Sequence, residues 1–155
     1  MSNPFEPPKA NLEVPRELGP APRAVKIAFA LLCFSASIAL LQLAAAATGL
    51  VGLPAGVSLG MSAISTLFGI AVIMFFAWKI RTGRNWARWV FAIWTLLGLV
   101  GFAASLAFMP GVWKAAPAHQ TILGASQGAI QLAAIILTFT AQSRAWYRGS
   151  RDAVA

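Results

Sequence analysis

VKIAFALLCFSASIALLQLAAAATGL, residues Val25 to Leu50, carries one basic group near its start and no other charge. As a helix rising 1.5 Å per residue, a run of this length exceeds the roughly 30 Å hydrocarbon core of a bilayer. It reads as a membrane span. A signal peptide is the competing reading, because Ala44 to Ala47 resembles a cleavage site, but a signal peptide's apolar region is only about 7–15 residues long.

Three more runs follow, about Leu59 to Ile80, Trp86 to Met109 and Thr121 to Gln142. VGLPAGVS, Val51 to Ser58, is a turn rich in Gly and Pro, and the five-residue RTGRN, Arg81 to Asn85, makes the second and third spans antiparallel neighbours. Pro110 stops the third. The expected fold is therefore all-α, an integral membrane four-helix antiparallel bundle over residues 25–146. It lies between a Pro-rich, disordered cytoplasmic tail, residues 1–24, and a polar C-terminal tail, residues 147–155. The first 24 residues hold six of the nine prolines and three of the four acids.

Composition agrees. Hydrophobic residues make up 59% and charged residues 10%, with a mean hydropathy of +0.73, which is too little charge for a soluble domain. The net charge of +8 would point to nucleic acid on a polar surface, but these cations border apolar runs, so the expected partners are anionic lipid head groups and not nucleic acid.

Charge placement gives an orientation. Lys9, Arg16, Arg23 and Lys26 precede the first span; Lys79, Arg81, Arg84 and Arg88 surround the second connection; Arg144, Arg148 and Arg151 follow the fourth. Lys114 alone falls on the other side, an eleven-to-one split. Basic groups close to a span resist translocation, so both termini are expected to be cytoplasmic. Trp78, Trp86, Trp89, Trp146 and Tyr147 cluster at the same interface, and Trp113 lies at the opposite one.

In the connection WKIRTGRNWARW, Trp78 to Trp89, Gly83 is placed to end a helix in a left-handed conformation and Asn85 to cap the next. Lys79 and Arg81 suit the negative end of a helix, whereas Arg84 and Arg88 sit at a positive end, which opposes them by about 0.3–1 kcal/mol each. Attraction to an anionic leaflet, about 1 kcal/mol per cation, outweighs that, so all four are candidate lipid or topology anchors.

The fourth span has the clearest internal pattern. Gly124, Gln127, Gly128, Gln131, Thr138 and Gln142 share one arc at 100° per residue. The GxxxG pair admits a close helix, and the glutamines can hydrogen-bond across the contact. Weaker small or polar stripes occur at Ser35, Ala39, Gln42 and Ala46, at Ser62, Ser65, Thr66 and Gly69, and at Thr95, Gly98 and Ser105. Two readings stand: packing between helices, or a ligand-facing centre at Gln42, Gln127 and Gln131.

Catalytic and metal-binding groups are not apparent. No ionisable residue falls within the four hydrocarbon cores, which disfavours proton-coupled transport. His119, the single histidine, is expected in the outer loop without a cysteine or carboxylate near it, and Cys33 reads as a small buried apolar residue. No cofactor is expected, and the chain is not expected to be an enzyme.

Two short stretches carry a resemblance. Asn3-Pro4-Phe5-Glu6-Pro7-Pro8-Lys9-Ala10 resembles an NP(Y/F)xPP(x)A opening, and Gly83-Arg84-Asn85-Trp86-Ala87-Arg88 resembles a G(R/K)NWAR inter-helix turn. Both are similar to features of small bacterial inner-membrane proteins with four predicted spans. The resemblance implies a bacterial inner membrane but no activity. Small multidrug transporters also have four spans, but they use a membrane-embedded Glu in the first helix, where this chain offers Gln42. The leading expectation is a non-enzymatic structural or interaction subunit that forms a homo-oligomer or joins another membrane protein. The alternative is a carrier or binder of an uncharged or apolar molecule.

Overall fold

The computed structural model describes residues 19–53, 57–108, 111 and 118–152, with side chains to residue 149. Among these the regular structure is helical, in five elements: α1 (Arg23–Ala47), α2 (Leu59–Arg81), α3 (Asn85–Phe108), α4 (Ala118–Thr138) and α5 (Ala141–Asp152). The first four are long and apolar enough to cross a membrane. Each packs on its neighbour in chain order, and α1 closes on α4, so the fold is an up-and-down four-helix bundle.

The turns follow from local chemistry. Gly49, at φ 75°, and Gly83, at φ 81°, take the left-handed conformation that ends α1 and α2. At the second turn the Gly83 amide donates to the Ile80 carbonyl at 3.2 Å and the Arg84 amide to that of Lys79 at 3.1 Å. Ser58 caps α2 by accepting the Met61 amide at 3.2 Å. Asn85 does not cap α3, contrary to expectation. It is the first residue inside the helix, and its Oδ1 is buried without a partner.

The close-packed core lies at one end, called basal here, where α1 begins. Val25, Ala28 and Leu32 of α1 meet Ala77 and Ile80 of α2, Ala87 and Phe91 of α3, Ala134 and Ile135 of α4, and Tyr147 of α5. The ring contacts between α2 and α3, Phe75–Trp86, Phe76–Trp86 and Phe76–Phe91, all lie in the half nearest their turn. Large side chains such as Leu67, Phe68, Ile93 and Leu97 point outward, as they do on a lipid-facing surface.

The first span is shifted to Arg23–Ala47 and the fourth starts at Ala118, and the largest differences from expectation lie toward the C-terminus. The fourth span ends at Thr138, so Gln142 leaves the polar arc and is an exposed residue of α5. Residues 141–152 form a helix instead of a plain tail, because Tyr147 and Trp146 give it an apolar side to lay on the bundle. Most of the Pro-rich segment, with Pro110, Trp113 and Lys114, lies outside the described residues. The described end of that segment is held in place, since the Trp146 indole donates to the Gly19 carbonyl at 2.9 Å.

Candidate functional site

The basal end is built around the C-terminus of α4. A helix leaves its last four carbonyls without intrahelical partners. Here Thr138 Oγ1 donates to Ile135 O at 2.7 Å, the Phe139 amide to Ile136 O at 3.0 Å, and Ser143 Oγ to Leu137 O at 2.9 Å. Arg88 Nη1 donates to Thr138 O at 3.2 Å and Arg144 Nε to Phe139 O at 2.8 Å. Arg88 is only 7% exposed, with its guanidinium carbon 4.6 Å from the Tyr147 ring centroid and 4.9 Å from that of Phe139.

This separates Arg88 from the other three proposed anchors. Arg81 and Arg84 are exposed, and Lys79 folds over the Trp78 and Phe75 rings at the surface, whereas Arg88 points into the protein. Its position at the positive end of α3 is offset by the negative end of α4 and two aromatic faces. Sequence alone missed this because both ring partners lie some fifty residues away. Burial also pushes the Tyr147 phenol up from 10.0 to about 12, with nearby Arg88 acting in the opposite direction.

At mid-depth the polar arc of α4 divides. Its glycines face α3: a Cβ on Gly128 would stand 2.7 Å from Leu99 Cδ2, and one on Gly124 3.4 Å from Phe102 Cε2. Its glutamines face α1: Gln127 Nε2 donates to the Ser35 carbonyl at 3.4 Å and Gln131 Nε2 to Ser35 Oγ at 3.3 Å. Beside this seam a crevice of about 190 Å³ separates α3 from α4, lined by Trp94, Thr95, Gly98, Leu99 and Phe102 and by Gly124, Gln127, Gly128 and Gln131.

Toward the distal end the bundle opens into a cavity of about 710 Å³. All four spans contribute to it, through Ile38, Gln42 and Ala46 of α1, Ser62 and Thr66 of α2, Phe102 of α3, and His119, Leu123 and Gly124 of α4. Gln120 also lines it and donates to Gly52 O at 3.0 Å, tying α4 to the first turn. His119 thus belongs to the first turn of α4, not to a loop, and its Nε2 is buried without a partner. Gln42 borders this cavity, while Gln127 and Gln131 border the crevice, so the three do not share one chamber. Phe102 and Gly124 border both.

The cavity can hold an uncharged molecule. Among the described residues its lining is mostly aliphatic, and its polar side chains are amides, hydroxyls and one imidazole. Fold and site together define an integral membrane four-helix bundle with an open cavity at its distal end. Comparison with family models, curated proteins and solved structures gives no match.

Proposed function

We propose that this chain is a non-enzymatic membrane protein that binds an uncharged, mainly apolar molecule in its distal cavity. The observation that carries the proposal is the cavity itself. Its 710 Å³ falls within the roughly 300–1,000 Å³ of small-molecule sites, and a few amides and hydroxyls converge on an apolar wall. Among the described residues His119 is its one titratable lining group, a poor basis for acid–base chemistry. The eleven-to-one charge split and the two resembling motifs support a bacterial inner membrane with cytoplasmic termini. Arg81 and Arg84 would then lie against anionic head groups, and the cavity would lie in the outer half of the bilayer. Native mass spectrometry of protein released from mild detergent tests the proposal: an apolar adduct should accompany the wild type and be lost in Ala46→Trp. A wild type without any adduct would count against it.

A second reading, an interaction subunit or homo-oligomer, is favoured by Gly69 and Gly101, where an added Cβ meets nothing within 4 Å, leaving room for another helix. Gly128 and Gln131 face inward and do not bear on it. Gly101→Leu should reduce cross-linking between copies if that face is used, and unchanged cross-linking would argue against it.

A further inference from the structure

Among the buried hydroxyls of the described residues, Thr95 stands apart. Ser35 Oγ receives Gln131 Nε2, Thr138 Oγ1 donates to Ile135 O and Ser143 Oγ donates to Leu137 O. Thr95 is 4% exposed, yet its Oγ1 has no partner, not even the carbonyl one turn back that helical threonines commonly use. An unsatisfied hydroxyl in an apolar interior is unfavourable, and native structures rarely keep one without a reason.

Thr95 lines the crevice between α3 and α4 together with Gln127 and Gln131. Both glutamines direct their amide nitrogens to Ser35, which leaves their Oε1 acceptors uncommitted. The unsatisfied hydroxyl and the two acceptors thus belong to three residues that line one small space. No titratable residue among those described lines it, so a carboxylate or ammonium group would be stranded there. A neutral hydroxyl fits, because it can accept from Thr95 while donating to a glutamine.

We propose that the crevice takes the hydroxyl head of a neutral single-chain amphiphile whose apolar chain lies in the distal cavity. The inference rests on the reading of that cavity as a binding site. Continuity supports it, since Phe102 and Gly124 border both spaces. Phe102 lies about two helical turns, roughly 10 Å, beyond Thr95, so a chain passing its ring would run from crevice to cavity. Gly124 leaves that ring the space a side chain would occupy, for an added Cβ would be 3.4 Å away.

The test uses the full chain in phosphatidylcholine nanodiscs and a ten-carbon primary alcohol carrying a diazirine on its chain. Photolabelling should saturate, map to peptides containing Phe102 or Leu123, and be displaced by 1-decanol about three- to tenfold better than by decane at equal bilayer concentration, as one neutral hydrogen bond would give. Thr95→Val keeps the shape, loses the hydroxyl and should abolish that preference. Thr95→Ser should keep it, and Gln127→Leu should weaken it. Saturable labelling with no preference for the alcohol, or a preference unchanged in Thr95→Val, would overturn the inference while leaving the cavity reading intact. Such a result would assign the crevice to water. Labelling that never saturates would overturn both.

Discussion

The phenol of Tyr147 donates to the carbonyl of Ile80 at 2.9 Å, joining α5 to the last turn of α2. The same ring covers the Arg88 guanidinium at 4.6 Å, so one side chain closes the basal end over two other helices. The residue at the centre of this closure is 1% exposed.

Tyr147 is the one tyrosine of the chain, so tyrosinate absorbance reports it alone. In the folded protein the absorbance should rise with a midpoint near pH 12, against about 10 in denaturant. Between those values the unfolded state releases the proton first, so stability falls as pH rises. The contribution is intact well below pH 10, and its loss is about 2 kcal/mol at the upper value and levels off at roughly 3 kcal/mol above it. Arg88 favours the tyrosinate, and Arg88→Met should move the midpoint higher still. A midpoint near 10 in folded protein would show that α5 does not dock.

The two glycines of α4 should respond differently to substitution. A Cβ at Gly128 would meet Leu99 Cδ2 at 2.7 Å, so Gly128→Ala forces that leucine to move, and Gly128→Leu should cost about 1–3 kcal/mol or more. At Gly124 the nearest atom is 3.4 Å away, so Gly124→Ala should change the melting temperature little. Thermal stability in detergent, followed by size-exclusion chromatography, gives the comparison. Equal losses at the two sites would contradict the inter-helix spacing described here.

Much of the bundle was legible in the sequence because each span declares itself by length and absence of charge, and Gly83 by the turn it must make. The polar arc of α4 was legible as an arc, but its division between α1 and α3 was not. Periodicity gives a direction around one helix and says nothing of which neighbour stands there. Arg88 was read as a lipid anchor for a related reason. Its partners, Thr138, Phe139 and Tyr147, come from the far end of the chain. Asn85 matched a capping pattern, but the backbone entered the helix one residue earlier than that role requires.

The contact between Ser35 and Gln131 should behave as a coupled pair. Gln131 Nε2 reaches Ser35 Oγ at 3.3 Å within the membrane-spanning part of the bundle, where such bonds are worth about 0.6–2 kcal/mol. Ser35→Ala and Gln131→Leu should each destabilise the fold, and the double variant should lose less than the sum, with a coupling of about 0.5–1 kcal/mol. Strict additivity would mean that the bond contributes nothing. Gln127 bonds the Ser35 main chain, so Gln127→Leu should be additive with Ser35→Ala, which provides an internal control.

The orientation can be tested with the thiol chemistry the chain already allows. Cys33 is its one cysteine, so Cys33→Ala leaves a background in which a single introduced thiol reports its own side. Ser58 and Thr82 are both exposed, at the N-terminus of α2 and just beyond its C-terminus, so they mark opposite ends of the bundle. In intact bacterial spheroplasts a membrane-impermeant maleimide should label Ser58→Cys, and Thr82→Cys should react only after lysis. The expectation comes from the basic residues: Lys79, Arg81 and Arg84 flank Thr82, and no cation lies between Lys26 and Lys79 to compete at the Ser58 end. The reverse pattern would place the distal cavity in the inner half of the bilayer and turn the basic end toward the outside. Reducing the charge at Thr82 alone, through Arg81→Gln with Arg84→Gln, should leave the topology unchanged, because the N-terminal tail, the first turn of α1 and the segment after α4 still carry seven cations on that side.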